Sequence, residues 1–492
     1  MVRTARCAVH LAFHSAPTEA KVLGFGADLL SAESDLLDAP EPAAQNAAMI
    51  TQWRFFRSYA VSFLVAAIAF NEAIHAAQSS LESKPADPYF ARFEPVKAPT
   101  SPDLLLRKGD RLAICGDSIT EQRMYSRLIE TYLTVCVPEL KVTTRQYGWS
   151  GEVAEGFLKR MTNDCLRFKP TIATTCYGMN DHRYKPYEED TARWYCENQV
   201  AIVRGFKAAG ARVILGSPGC VGKMPAWVKT ATGTVEDLNL NLCKLRNHDI
   251  AIAVKEGAAF ADIFWPMYTS GFVGQQKYGT NFAIAGKDGV HPDWAGQTVM
   301  AYAFLKAMGL GGELADFRVD LKNGVATAGE GHKVKHFKDD ELTVLSTRYP
   351  FCATGDGDKD NSIRAAMSLI PFNQDLNRFT LRIRGGSATA YKVTWGDASR
   401  TYSVGELENG VNLAADFATN PFSAAFEKVD NAIAAKQAYE TRQIKTLFHG
   451  DEGRLNMEET VAFTEKLRKR LAEAIPAAFK PVTHTIRIVP HS

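Results

Sequence analysis

The chain has no excess of charge of either sign: 57 Lys and Arg stand against 55 Asp and Glu in 492 residues. Nucleic-acid binding usually shows as a basic excess, so composition makes no case for a nucleic-acid partner. There is no Gly-rich phosphate loop and no C-x-x-C pair, which removes the common signatures of nucleotide binding and dithiol redox chemistry. No heptad run is long enough for a coiled coil. Long hydrophobic runs are also scarce. The run from Tyr59 to Phe70 spans about twelve residues, too few for a comfortable membrane span. Aromatic, glycine and charged content sits near globular averages. The length allows roughly two or three domains with a large core. Function must therefore be read from local motifs.

Residues 1–48 show no clear periodicity. Met49 follows, then Arg54 and Arg57, the apolar run, and the small residues Ala73, Ala76 and Ala77. A basic start, a short apolar stretch and a small-residue end resemble a secretory signal peptide. Ile74 or His75 falls where a second small residue is expected, so the cleavage pattern is not fully met. A buried helix and an uncleaved membrane anchor are the alternatives. The expected organisation is a non-native extension over 1–48 with translation starting at Met49, a signal peptide over 49–77, and a linker over 78–104. Export to a periplasmic or extracellular location follows, with no stable membrane span after processing.

From about residue 105 the pattern alternates. Leu112 to Cys115 is an apolar strand ending at Gly116, followed by a helical stretch through about Val135. Strands are expected at Lys141–Tyr147, Thr171–Tyr177, Arg212–Gly216 and near Ala258–Ile263. Helices lie between them at about Glu152–Arg167, Glu188–Ala209 and Val235–Glu256. Such alternation implies a parallel sheet covered by helices on both faces, here over 105–312. In open parallel sheets, sites form beyond the carboxyl ends of the strands. Gly116-Asp117-Ser118, Trp149-Ser150-Gly151 and Gly178-Met179-Asn180-Asp181 all stand at such ends. Asp288-Gly289-Val290-His291-Pro292, just before the last helix of this region, can reach the same edge.

A serine hydroxyl is a weak nucleophile and needs a base within hydrogen-bond reach. His291 suits Ser118 as that base, and Asp288 suits the other ring nitrogen. Acyl transfer also needs donors aimed at the developing oxyanion. The backbone N–H of Ser118, the backbone N–H of Gly151 and the side-chain amide of Asn180 are the candidates. Thr120 stands where a G-x-S-x-G elbow would have its second glycine, which argues against the α/β-hydrolase elbow.

Gly116-Asp117-Ser118-Ile119-Thr120, Gly151, Gly178-Met179-Asn180-Asp181 and Asp288-Gly289-Val290-His291 resemble the four blocks of the GDSL-like, or SGNH, hydrolase family. The resemblance covers about 200 residues. It implies an α/β fold, a three-layer α/β/α sandwich with a parallel, flavodoxin-like sheet. It implies Ser118 as nucleophile, His291 as base and Asp288 as its orienting partner. Ser118, Gly151 and Asn180 are then the oxyanion hole.

Glu121, Tyr125 and His182 are further candidates for lining the substrate site. Asp117 and Asp181 read as structural, holding their turns. No cofactor and no metal site is expected. Asp356, Asp358 and Asp360 start like a calcium loop, but Asn361 and Met367 occupy the glycine and glutamate positions. His332 and His336 are four apart in surroundings that do not read as helical, so they are rejected as a metal pair. Nine cysteines occur, eight of them after the signal. Cys115 and Cys176 read as buried thiols. Cys165, Cys196, Cys220 and Cys243 are the candidates for disulfides, which export would permit.

After residue 312 short alternating stretches take over: Phe317–Leu321, Leu342–Ser346, Phe379–Ile383, Tyr391–Trp395 and Thr401–Val404. Turns are expected at Asn323-Gly324, Gly385-Gly386 and Gly396-Asp397. A small antiparallel β domain is expected over 313–418. A helical hairpin with a terminal strand near Thr485–Val489 is expected over 419–492. The expected activity is hydrolysis of short acyl, chiefly acetyl, esters. The partner is a small ester or an O-acylated polysaccharide, since exported members of this family often act on carbohydrate esters. An acyltransferase to a sugar hydroxyl, a lipid or lysophospholipid acylhydrolase, and a non-catalytic glycan-binding module are the alternatives. The role of the C-terminal region stays open between substrate capture and structural cover.

Overall fold

The structure, a computed structural model, describes residues 81–100, 103–357 and 361–491. The expected extension and signal peptide (1–48 and 49–77), Cys7, Asp358 and Asp360 lie outside the described residues. No helix among the described residues is long and apolar enough to cross a membrane.

Five strands form a parallel sheet: β1 (Arg111–Gly116), β2 (Thr143–Gln146), β3 (Ile172–Cys176), β4 (Arg212–Gly216) and β5 (Ala259–Ala261). Their order is β2-β1-β3-β4-β5. This is the doubly wound order with its switch point between β1 and β3. Burial on both faces explains why Leu112-Ala113-Ile114-Cys115 is a continuous apolar run rather than an alternating one. Seven helices of this region matter here: α1 (Ser118–Glu121), α2 (Tyr125–Val135), α3 (Ala154–Asp164), α4 (Glu189–Ala208), α5 (Val235–Glu256), α6 (Phe264–Tyr278) and α7 (Trp294–Ala307). Leu112 and Ile114 point into a core shared with α2 and α7. Ala113 and Cys115 point the other way, under α3, α4 and α5. Helices thus cover both faces, making the three-layer sandwich.

Local chemistry sets the ends. Thr234 and Asp237 form a reciprocal capping box at the start of α5, and Gly257, with φ of 60°, ends it. The single helix expected through Val135 is broken into α1 and α2. Arg123 adopts a left-handed backbone with φ of 58°. Its guanidinium donates to Glu121 O and Thr441 Oγ1, which holds the break. Helix α6 was not expected from the sequence, and it contains Gly271 and Gly274. Both serve close approach: a Cβ would lie 2.7 Å from Ile284 Cγ2 at Gly271 and 2.2 Å from a Phe282 ring carbon at Gly274.

Nine further strands follow: β6 (Glu313–Asp320), β7 (Val325–Ala328), β8 (His332–Lys338), β9 (Glu341–Ser346), β10 (Arg378–Arg384), β11 (Ala390–Trp395), β12 (Ala398–Ser403), β13 (Val411–Asn412) and β14 (Val482–His491). One sheet, β12-β11-β14-β9-β8, is antiparallel throughout. The other, β13-β10-β6-β7, has β6 and β10 side by side in parallel. The helical hairpin consists of α8 (Ser423–Arg442) and α9 (Met457–Ala478).

The boundaries expected at 312 and 418 do not separate compact bodies. The described residues fall in one compact unit. A continuous core runs from Ile114 and Phe304 through Phe317 and Phe379 to Trp395 and Ile486. The change at 313 is a change in pattern, not in packing.

Helix α8 lies against the edge strand β2. An edge strand presents unpaired backbone groups. Here side chains from the hairpin meet them. Lys436 Nζ and Arg468 Nη2 donate to Thr144 O at 2.7 and 3.0 Å, and Gln146 N–H donates to a Glu440 carboxylate oxygen at 3.2 Å. Lys436 is 1% exposed and also pairs with Glu130 (2.9 Å) and Glu440 (3.0 Å). Burial works against the charged Glu440 carboxyl, but Lys436 and Arg468 outweigh it and hold it below its ordinary value.

All eight described cysteines are free. The disulfides expected among Cys165, Cys196, Cys220 and Cys243 are absent from the described residues. Cys165 packs against Cys115 of β1, and both are fully buried.

Candidate active site

Strand β1 ends at Gly116, where a Cβ would sit 2.1 Å from Thr120 Oγ1 and 2.8 Å from Cys176 O. Only glycine lets the chain turn there without displacing β3. Asp117 caps α1 by accepting from Ile119 N–H at 2.9 Å, so Ser118 is the first residue of the helix rather than its cap. Ser118 is part-exposed at the mouth of this turn.

His291 reaches it from the loop before α7. Ser118 Oγ lies 2.7 Å from His291 Nε2, and His291 Nδ1 lies 2.6 Å from Asp288 Oδ2. The hydrogen-bond network assigns the ring proton to Nδ1, donating to Asp288, which leaves Nε2 to accept from the serine hydroxyl. The other Asp288 oxygen accepts from the N–H groups of Val290 and His291, both at 2.9 Å. Burial works against the Asp288 anion, but these N–H donors and the imidazole outweigh it and hold the carboxyl below its ordinary value.

Gly151, exposed and with φ of 74°, stands in the turn after β2. Asn180 follows β3, its Nδ2 donating to Glu152 O at 3.0 Å with Asp117 Oδ2 at 3.4 Å. Asn180 Oδ1 accepts from Tyr184 O–H at 3.3 Å. Behind it, Asp181 accepts from Gly178 N–H and Ala154 N–H, both at 2.9 Å, and so links the third block to the start of α3. Burial pushes the Asp117 carboxyl up to about 7 and that of Asp181 up to about 6, with neighbouring carboxylates adding to both.

The three expected substrate contacts fare differently. Tyr125 is fully buried: its hydroxyl pairs with Thr120 Oγ1 at 2.7 Å and its ring stacks on Phe304. It belongs to the core, because α2 turns this position toward α7. His182 is 1% exposed, and its Nδ1 donates to Met179 O at 2.6 Å. Burial lowers its pKa to about 4, so the ring is neutral and packs behind Tyr184. Glu121 does reach the site, but its carboxylate is taken by Lys445 Nζ at 2.8 Å to each oxygen and by Ser150 N–H at 2.5 Å.

Other residues at the site carried no sequence signal. Trp227 is 45% exposed, with its ring 5.8 Å from that of His291 and 5.9 Å from that of Tyr184. Gln297 of α7 is buried; it accepts from Tyr125 N–H at 3.0 Å and donates to Gln122 Oε1 at 2.8 Å and Pro292 O at 3.3 Å. It ties the His291 loop to the Ser118 turn.

Residues 114–299 match the model of the GDSL-like lipase/acylhydrolase family. This region is a GDSL-like lipase/acylhydrolase domain. The chain carrying it is a carboxylic ester hydrolase. A search of curated proteins found no match. Among solved structures, a gut microbial diltiazem-metabolizing enzyme is 22% identical over 80% of this chain and 99% of its own, with a TM-score of 0.64. That likeness extends beyond the GDSL-like domain and shows a shared fold for most of the chain. Axe2, an acetylxylan esterase from Geobacillus stearothermophilus, is 21% identical over 42% of this chain and 97% of its own, with a TM-score of 0.35. A putative GDSL-like lipase from Parabacteroides merdae is 20% identical over 42% and 99%, with the same TM-score of 0.35.

Proposed function

We propose that this ester hydrolase works through a Ser118-His291-Asp288 triad and an acyl-enzyme, on short acyl esters of a carbohydrate. The observation that carries the triad is the hydrogen-bonded chain from Ser118 Oγ to His291 to Asp288, at 2.7 and 2.6 Å. Ser118 Oγ attacks the acyl carbonyl as its proton passes to His291 Nε2. Asp288 stabilises the imidazolium that forms. The N–H groups of Ser118 and Gly151 and the Asn180 amide receive the oxyanion. The C–O bond to the alcohol breaks, and the alcohol departs with the His291 proton. Water then gives a proton to His291 and attacks the acyl-serine; the acyl–Oγ bond breaks, Ser118 Oγ takes the proton from His291, and the acid is released.

The carbohydrate reading is supported by Trp227, an exposed aromatic ring beside the base, with Tyr184 next to it. A flat apolar face of this kind suits stacking against a sugar ring. The absence of a long apolar lid in the sequence disfavours lipid. Export rests on the sequence of residues 49–77.

An ester panel on wild type and Ser118→Ala tests the reading. Turnover of p-nitrophenyl acetate should exceed that of long-chain esters and fall on the order of 10⁴-fold in Ser118→Ala. A preference for long-chain esters would sink the short-acyl reading. Turnover unchanged in Ser118→Ala would sink the triad. N-terminal sequencing of secreted protein tests export: a mature chain that retains residues 1–48 contradicts it.

A further inference from the structure

The Trp149–Gly151 turn is exposed at Ser150 and Gly151, and a Cβ built on Gly151 would meet nothing within 4 Å. Gly151 has no side chain, so packing at its own position does not fix the amide that is to receive the oxyanion. Hydrogen bonds must do so. Trp149 N–H donates to Gly116 O at 3.1 Å, and Glu152 N–H closes the turn onto Trp149 O at 3.2 Å. Between them, Ser150 N–H donates to the Glu121 carboxylate at 2.5 Å. Glu121 is three residues past Ser118, on the same short helix. Nucleophile and turn are therefore joined through one carboxylate.

That carboxylate is held in turn by the C-terminal region. Lys445 Nζ lies 2.8 Å from both Glu121 oxygens. Burial works against the Glu121 anion, but Lys445 and Ser150 outweigh it and lower its pKa. Lys445 sits on the π-helical turn Gln443–Phe448 at the end of α8. Such turns are rare and often mark functional sites. The same segment meets the loop at further points. Thr441 pairs with Gln146, whose Oε1 accepts from Gly148 N–H at 2.9 Å. The His449 ring packs edge-on against Trp149 at 4.9 Å, and its Nε2 lies 2.8 Å from Asp164 Oδ2.

We infer that the C-terminal segment 441–449 completes the active site, with Lys445 and Glu121 as positioning residues that set the Ser150–Gly151 peptide against the oxyanion. The inference rests on the triad reading above. Oxyanion donors act most strongly in the transition state, so misplacing one lowers kcat and leaves KM nearly unchanged. Complete loss of one donor costs about 10²–10³ in kcat, and loosening one should cost less, about 10- to 100-fold.

The test uses the full chain with Lys445→Met, Lys445→Arg and Glu121→Gln. A fluorophosphonate probe first reports whether Ser118 is a reactive nucleophile. Absence of labelling in wild type overturns the triad reading and this inference with it. With labelling present, Lys445→Met should lower kcat on p-nitrophenyl acetate about 10- to 100-fold with KM within about twofold. Its acid limb should move to higher pH, because Glu121 loses its cation. Lys445→Arg should recover most of the rate, since a guanidinium also pairs with a carboxylate. Glu121→Gln keeps an acceptor for Ser150 N–H and should lose less, a few-fold in kcat. This variant decides the matter if Lys445→Met does not fold. Labelled, folded variants with unchanged kcat and pH profile would overturn the positioning role alone.

Discussion

The two sides of the active site are built in opposite ways. The side that carries His291, the proposed base, is local. Asp288 takes the N–H groups of Val290 and His291 and the His291 ring within four consecutive residues. Gly286, with φ of 79°, lets this loop close, since a Cβ there would lie 1.7 Å from His291 O. The side proposed to receive the oxyanion is assembled from afar. Its turn follows β2, and β2 is an edge strand whose free backbone groups and following loop are held by residues 436–449 and Arg468. A self-contained turn needs few neighbours to keep its geometry, whereas an edge-strand loop takes its geometry from whatever covers the edge. The C-terminal hairpin is that cover.

The comparison can be broken most strongly on the local side. Asp288→Asn should lower kcat on the order of 10⁴-fold, because the Asn amide can present an N–H to His291 and select the wrong tautomer. Steady-state kinetics on p-nitrophenyl acetate would measure it, with thermal melting close to wild type.

The distant side should break through stability. Lys436→Met leaves Glu130 buried without its cation, while Glu440 keeps Arg468. A loss of about 3–5 kcal/mol is expected in chemical denaturation, since removing one partner of a buried pair strands the other charge. A loss under 1 kcal/mol would show that the edge cover is dispensable.

Asp117 caps the Ser118 turn and faces Asn180. Its folded pKa is raised from 3.8 to about 7 by burial. Stability from such a group is present below pH 4 and is lost as pH rises through about 7. Asp117→Asn keeps an acceptor for Ile119 N–H and cannot ionise. Its stability relative to wild type should rise across that window, by at most about 4 kcal/mol at about 1.4 kcal/mol per pH unit. Denaturation midpoints from pH 4 to 8 would show it; a difference that shrinks with rising pH contradicts the burial argument.

The smallest effect is expected at the rim. Trp227→Ala should raise KM for an acetylated oligosaccharide about 2- to 10-fold and leave p-nitrophenyl acetate unaffected. Equal effects on both substrates would place Trp227 in the chemistry rather than in sugar recognition.

The same contrast explains what could be read in advance. Strand positions in the parallel sheet were legible because buried strands carry apolar runs bounded by glycine. Arg212–Gly216 has the expected bounds, and β1 and β3 differ from theirs by a residue or so. Tyr125 was misassigned because a break at Arg123 reorients everything after it, and a left-handed arginine has no sequence signature. His182 follows a site block in sequence, yet the chain folds it inward beneath Tyr184. The cysteine expectation failed for a similar reason: even number and spacing say nothing about which side of a sheet a thiol faces.

By itself the sequence determined the sheet, the three blocks at the strand ends and the fourth block with its local turn around His291, because each depends on residues within a few positions of one another. Only the tertiary structure decided what holds the second block. Lys436, Glu440 and Lys445 are ordinary charged residues on a helix pattern, and nothing in their spacing points to β2 or Glu121. Their role comes from the unpaired edge of a strand some 300 residues earlier and from the free energy of leaving such an edge or charge without a partner.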